Sequence, residues 1–194
     1  MSAEPRPPGP ADTAGSGAPV PADGLDVRPE PYDSPVAQAF VTALNHEMDE
    51  RYAADDAGGG DHPEVAARWR VRPEQVTPPH GVFLLAVFDG RPVGSGALRP
   101  LIGGPSGVAE VKRMYTAPGA RRRGVSRAVL ARLEAEAAAL GYRRVQLETG
   151  ARQPEAIALY ELAGYHRITP YGQYAGDALS VCFAKDLPPE PRTS

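Results

Sequence analysis

Apolar residues along this chain follow two different periods, and the switches between them divide it into elements. Leu25-Asp-Val-Arg28 is a short run stopped by prolines, as suits an edge strand. Ser34-Pro35 supplies a helix cap followed by a proline at the first helical position. Behind it, Val36, Phe40, Val41, Leu44 and Met48 recur at helical spacing and mark a core-facing stripe. The helix ends in the acidic, polar run Glu47-Met-Asp-Glu-Arg-Tyr52 and gives way to a glycine cluster, Gly58-Gly-Gly60, read as a flexible loop. A short helix is expected over 63–70, and Pro78-Pro79 closes that connection.

The period then becomes that of strands. Gly81 to Phe88 is a β run, Asp89-Gly90 is a two-residue hairpin signal, and Arg91 to Leu98 returns. Glycines in the return strand fit a bulge or a close backbone approach. After the turn Gly103-Gly-Pro-Ser-Gly107, Val108 to Thr116 reads as a third strand, ended by Pro118-Gly119. From about Val125 the helical period resumes. Val129, Leu130, Leu133 and Leu140 face inward, Arg127, Arg132, Glu134 and Glu136 outward, and Gly141 stops the helix. Arg143 to Thr149 alternates as a strand. Pro154 to Ala163 is a helix with Ile157, Leu159, Tyr160 and Leu162, closed by Gly164. Tyr165 to Ile168 and Leu179 to Ala184 are short strands joined by a Tyr/Gly-rich loop, Pro170 to Gly176. This succession predicts a single α/β domain on a mixed sheet.

Composition narrows the picture. The 194 residues suffice for one domain. Residues 1–24, rich in Pro, Gly, Ala and Ser, lack the apolar surface to offset their ordering entropy and are expected to be a disordered leader. The domain is expected over 25–187, with 188–194 a short flexible tail. Formal charge is 21 − 24 = −3, so no global basic surface asks for nucleic acid. One cysteine, Cys182, excludes an intramolecular disulfide and a multi-cysteine zinc site, and four histidines without paired spacing argue against a metal. No apolar run approaches a membrane span and no signal pattern opens the chain, so a cytoplasmic location is expected.

The chemistry gathers between Val108 and Leu140. Here a strand feeds a turn with Arg121, Arg122 and Arg123, then Gly124, Val125 and Ser126 at the start of the long helix. First-turn N–H groups have no intrahelical partners, and the helix dipole adds positive potential, so such a start receives anions. Three guanidinium groups beside it suit a pyrophosphate. Arg121-Arg-Arg-Gly-Val-Ser126 resembles the acetyl-CoA pyrophosphate loop of the GNAT acetyltransferase superfamily, patterned Gln/Arg-x-x-Gly-x-Gly/Ala. Ser126 departs from it by standing where Gly or Ala is usual. The predicted element order also matches that family's fold, a mixed, mostly antiparallel central sheet flanked by helices, over essentially all of 25–187.

The resemblance implies roles for further residues. Glu110 lies on the strand where the family often keeps its general-base glutamate. Met114, Tyr115 and Thr116 stand where strand backbone meets the pantetheine arm. Ala158-Leu-Tyr-Glu-Leu-Ala-Gly-Tyr165 resembles the family's Ala-Leu-Tyr-x-x-x-Gly-Phe/Tyr segment, making Tyr160 the candidate acid beside the CoA sulfur. The usual cofactor-contacting asparagine is missing, and Arg152 or Gln153 is the candidate substitute. The activity implied is transfer of an acetyl group from acetyl-CoA, as co-substrate and without a metal, to a primary amine of a small molecule or protein. No covalent intermediate is implied. A base removes the amine proton, a backbone N–H near Met114 stabilises the oxyanion, and Tyr160 protonates the leaving thiolate.

Each residue also has a plainer role available. Glu110 could pair with Lys112 or Arg113. Tyr160 could be a core aromatic, and Cys182, expected in a strand away from these motifs, a small buried hydrophobe. Glu47, Asp49, Glu50 and Tyr52 are candidate acceptor-site residues for a cationic substrate, with Tyr171 and Tyr174 of the same kind, though an acidic helix end is often merely solvated. The alternative function is a non-catalytic acyl-CoA-binding or sensing domain on the same fold. A P-loop enzyme is excluded because no Gly-Lys-Ser/Thr follows the glycine, and a Rossmann enzyme because no Gly-x-Gly-x-x-Gly follows a strand. Exposed sheet edges leave a homodimer open.

Overall fold

The computed structural model describes residues 24–53 and 70–188. The expected leader, the tail past 188 and all but the last residue of the short helix over 63–70 lie outside the described residues.

Seven strands form one sheet in the order β1-β2-β3-β4-β5-β7-β6. They are β1 (Leu25–Pro29), β2 (Val82–Phe88), β3 (Arg91–Pro100), β4 (Val108–Thr116), β5 (Arg144–Gly150), β6 (His166–Ile168) and β7 (Ser180–Asp186). Neighbouring strands are antiparallel except β4 and β5, which run parallel. Three α-helices occur among the described residues: α1 (Pro35–Tyr52), α2 (Val125–Ala139) and α3 (Pro154–Leu162). This is the mixed, mostly antiparallel α/β architecture expected. The sequence order did not reveal that β7 inserts between β5 and β6.

Local chemistry sets the element boundaries. The Ser34 hydroxyl accepts the Ala37 N–H at 3.2 Å, and Pro35 opens α1. Asp89 and Gly90 both take positive φ (48° and 73°), the left-handed pair a tight hairpin between β2 and β3 requires.

Side-chain alternation gives the sheet two different faces. On one, Leu84, Leu98, Val111, Leu147 and Phe183 pack against Val125, Val129, Leu130 and Leu133 of α2 and Tyr160 of α3. On the other, Phe83, Leu85, Val87 and Ala97 meet Phe40 and Val41 of α1 together with Val71 and Val76. The glycines of β3 permit this packing. A Cβ on Gly94 would fall 2.6 Å from Val125, and one on Gly96 would fall 2.7 Å from Val129 and 2.8 Å from the Met114 sulfur.

Two irregularities in β4 position the site. Ser95 pairs with Tyr115 but Ala97 with Lys112, so a bulge sits at Arg113 and Met114, and Arg113 has φ 58°. Beside it, the β4–β5 ladder stops at Val111↔Leu147. Beyond that pair β4 continues to Thr116, while β5 continues to Gly150 bonded to β7. The two parallel strands part there, and a cleft opens in the middle of the sheet.

Candidate active site

The parting of β4 and β5 brings together most of the residues the sequence singled out. At its outer end lies the arginine turn. Arg122 (φ 62°) and Gly124 (φ 83°) both adopt left-handed geometry, and Gly124 caps α2. This conformation turns the chain sharply, so that the N–H groups of the first α2 turn point out of the helix without intrahelical partners. A Cβ on Gly124 would meet nothing within 4 Å, leaving the helix start open to a ligand. Ser126 reaches back to Thr116 with a hydroxyl–hydroxyl bond of 3.0 Å, tying the turn to the end of β4. A pyrophosphate fits what is present: an open N–H cradle, a helix start and three basic side chains.

Arg121 is engaged differently from what its motif suggests. Its Nε donates to the Thr116 carbonyl at 3.1 Å, and Nη2 pairs with Glu47 of α1. Glu47 also accepts from Arg51 at 2.9 Å, and Arg51 pairs with Glu155 at the start of α3. Tyr52 stacks its hydroxyl close over Gly150, where a Cβ would come within 1.6 Å, and accepts the Arg152 N–H at 3.3 Å. The C-terminal turns of α1 thus bridge the mouth of the cleft from the arginine turn to α3. Gln153 caps α3 there, its N–H bonded to the Gly150 carbonyl at 3.0 Å. Of the acidic residues proposed for an acceptor, Glu47 and the neighbouring Tyr52 face the cleft. Asp49 and Glu50 are exposed, and Glu50 meets His46 at 3.6 Å.

Along β4, Tyr115 packs its ring edge-on to Phe40 at 5.7 Å, and Met114 lies against the core on the α2 side. Burial, with Glu47 assisting, raises the Tyr115 phenol above its ordinary value.

Deeper in, on the α1 side of the sheet, is a buried polar network. Glu110 is 2 % exposed and lies directly across from Arg99 of β3 in the ladder. Arg99 donates Nε and Nη2 to Glu110 Oε2 at 2.8 and 2.7 Å. The other oxygen, Oε1, accepts the hydroxyls of Tyr171 at 3.2 Å and Tyr174 at 2.9 Å. The ion-pair partner is therefore Arg99, not Lys112 or Arg113. Lys112 instead donates to the Tyr174 hydroxyl at 2.7 Å, and burial lowers its ammonium against the pull of Glu110 and Glu148. Arg113 reaches Asn45 of α1 at 3.1 Å.

Glu148, which the sequence reading passed over, stands on β5 one residue past the last pair with β4. It is half-buried and accepts the Ser180 hydroxyl at 2.9 Å. Burial raises its carboxyl above the usual range; Lys112 and the Ser180 bond oppose this, and Asp177 and Glu110 add to it. In the sequence it falls in phase with Arg144 and Gln146, on the polar side of the alternation set by Val145 and Leu147, so nothing local set it apart. Arg99 carried a signal, a charge ending a run of small and apolar residues.

Tyr160 comes from the opposite face. Its ring is 4 % exposed and touches Tyr165 and Phe183, each at 5.8 Å between centroids. Burial, then Glu148, raises its phenol far above the ordinary value, so the hydroxyl keeps its proton. Cys182 is not remote from these groups, as the sequence suggested: it faces Glu148 across the β5–β7 ladder. It is buried, and burial pushes its thiol up to about 11, which keeps it from acting as a thiolate. Among the described residues no group of three or more His, Cys, Asp and Glu could hold a metal, and no helix is long and apolar enough to cross a membrane.

Comparison with known proteins shows the family to which the chain belongs. The model of the Acetyltransferase (GNAT) family matches residues 42–165. A relative from Azospirillum brasilense, named IAA acetyltransferase, is 42% identical over 105 residues, covering 54% of this chain and 67% of that protein. A Klebsiella pneumoniae structure provisionally assigned as an acyl-CoA N-acyltransferase superposes with a TM-score of 0.65 at 26% identity, covering 84% of this chain and 97% of that one. A GNAT family acetyltransferase from Elizabethkingia anophelis with acetyl-CoA bound shares the fold, with a TM-score of 0.57 at 13% identity over 85% of this chain and 99% of that one. The parted β4 and β5 strands, the open glycine start of α2 and the family match together place this chain in the GNAT acetyltransferase family.

Proposed function

We propose that this protein moves the acetyl group of acetyl-CoA to a primary amine by direct attack. The observation that carries this is the cleft where β4 and β5 part, with an open anion cradle at one end and Tyr160 and Glu148 at the other. The acetyl-CoA-bound relative of the same fold supports the co-substrate, and the name of the Azospirillum brasilense relative supports acetyl transfer.

Arg122, Arg123 and the N–H groups of Val125 and Ser126 would hold the pyrophosphate, with Arg121 joining once Glu47 releases it. Met114 to Thr116 would line the pantetheine arm, and Gln153 at the α3 start would border it. When bound, acetyl-CoA supplies an activated thioester carbonyl. The bulge at Arg113 and Met114 turns backbone groups out of the regular ladder, beside the place where an oxyanion would form. Tyr160, fully protonated, donates to the leaving sulfur. The amine must have a free lone pair when it attacks, and the carboxylates on the α1 side of the cleft, Glu110 and Glu148, are the groups to which its proton can go. Glu110 would have to surrender one of four hydrogen bonds before taking it.

That saturation of Glu110 is also what favours a second possibility, an acyl-CoA-binding domain without catalysis. A CoA-release assay over a panel of primary amines decides between them. Amine-dependent release establishes the enzyme, and acetyl-CoA binding with no release by any amine establishes the sensor.

A further inference from the structure

We propose that Glu148 receives the proton of the incoming ammonium group, and that Glu110 acts as a positioning residue through Tyr174 and Lys112. This rests on the acetyltransferase function proposed above and names the acceptor as a primary amine that arrives charged.

Position is the first argument. Glu148 occupies the vertex of the cleft, the first β5 residue freed from β4, on the face away from α2. Access is the second. Glu148 is half-buried, whereas Glu110 is sealed at 2 % exposure and its two oxygens serve a guanidinium and two phenols. A base needs an oxygen that can be reached and a proton that can leave.

The third argument is an exit route. The Ser180 hydroxyl lies 2.9 Å from Glu148 Oε1 and 3.1 Å from Asp177 Oδ2. One hydroxyl carries one proton, so it bonds to one carboxylate at a time. When Glu148 gains a proton, it donates to Ser180, Ser180 donates to the exposed Asp177, and the proton passes to solvent. The balance closes. An ammonium loses one proton to Glu148, which frees the lone pair that forms the N–C bond. As the C–S bond breaks, the sulfur takes a proton from Tyr160, and the second nitrogen proton restores Tyr160.

The fourth argument is convergence. Glu148 is the charged group that adds to the burial effect on the Tyr160 phenol, so the two groups, one from each face of the sheet, lie within electrostatic reach of each other. The titratable groups coupled to Glu148 come from every element around it. Lys112 and Glu110 come from β4, Asp177 and Tyr174 from the loop before β7, Cys182 from β7 and Tyr160 from α3. Lys112 favours its charged form, while Asp177, Glu110 and burial oppose it.

The test uses the full chain labelled with carbon-13 at glutamate carboxyls and n-butylamine as the probe. Acetyl-CoA binding is followed by calorimetry, and transfer is measured across pH, in wild type, Glu148→Gln, Glu148→Asp and Glu110→Gln. The carboxyl resonance missing in Glu148→Gln should titrate above the usual carboxylate range in the free protein and shift when n-butylammonium is added. Glu148→Gln should keep acetyl-CoA affinity within about threefold, lose transfer about a hundredfold and lose the acid limb of kcat/KM. Glu148→Asp should recover part of the rate with a displaced limb. The proposal is overturned if Glu148 titrates with surface carboxylates, if n-butylammonium neither shifts its resonance nor is acetylated, or if Glu148→Gln retains both rate and acid limb. Absence of acetyl-CoA binding to folded wild type overturns the acetyltransferase function and this assignment together, whereas intact binding with a wild-type-like Glu148→Gln overturns this assignment alone.

Discussion

Substituting Glu110 by glutamine should cost the fold far more than it costs any chemistry of its own. The Arg99 and Glu110 side chains are 5% and 2% exposed, so the pair is held out of water. Removing one partner of such a pair leaves the other charge buried without compensation, a loss of about 3–5 kcal/mol. Glutamine keeps an acceptor for the Tyr171 and Tyr174 hydroxyls, so the loss falls mainly on the abandoned guanidinium. For a domain of this size the melting temperature should drop by about 6–20 °C. The urea midpoint, followed by far-UV circular dichroism, should fall by about 2 M at a slope near 2 kcal/mol per M. The double variant Arg99→Met with Glu110→Met removes both charges and should regain most of the loss, because apolar replacement of a buried pair is often neutral. A loss under about 1 kcal/mol in Glu110→Gln, or a double variant no better than the single one, would refute the idea that this pair is a buried structural tie.

The other expectations concern the cleft. Tyr160→Phe should leave acetyl-CoA affinity unchanged and lower kcat about a hundredfold; because the wild-type phenol is held well above its ordinary value, the ratio of the two rates should stay constant on the alkaline side, and a ratio that closes there would contradict its role as donor. Glu47→Gln should tighten acetyl-CoA binding by up to about fivefold by releasing Arg121, the scale of the about 1 kcal/mol that a partly exposed pair supplies, and calorimetry showing unchanged or weaker binding would mean that Glu47 does not compete with the ligand. Glu148 has its folded-state pKa raised by burial, so the stability it contributes is complete below the ordinary glutamate value of about 4.3 and is lost as pH rises through its folded value. Glu148→Gln should therefore gain stability over wild type above that window and not below it. Thermal melts across pH that show parallel curves for the two proteins would rule this out.

What was legible in the sequence was what neighbours in the chain decide. The Ser34-Pro35 cap, the Asp89-Gly90 turn, the apolar stripe of α2 and the glycine turn at its start are local chemistry, and each stands where its residues require. Pairings between distant residues were not legible. Arg99 meets Glu110 because the β3–β4 register sets them opposite each other, and the bulge at Arg113 and Met114 shifts that register by one residue. The glycines of β3 hinted at an irregularity without locating it. Glu47 rather than Asp49 or Glu50 faces the arginine turn because of the rotation of the last turns of α1, which the acidic run does not reveal. Glu148 was hidden for a similar reason. Its importance comes from where the β4–β5 ladder stops, a property of two strands whose paired residues lie 36 positions apart and that neither strand displays alone.

The most direct test of the central claim is calorimetric titration of acetyl-CoA and free CoA into wild type and into the double variant Arg122→Glu with Gly124→Asp. Both substitutions place negative charge at the open start of α2, where the helix dipole and the turn's guanidinium groups should receive pyrophosphate. Micromolar binding of both ligands to wild type, lost in a variant that melts as a folded protein, is the predicted result. Folded wild type that binds neither ligand, or a variant that binds as tightly as wild type, would contradict it.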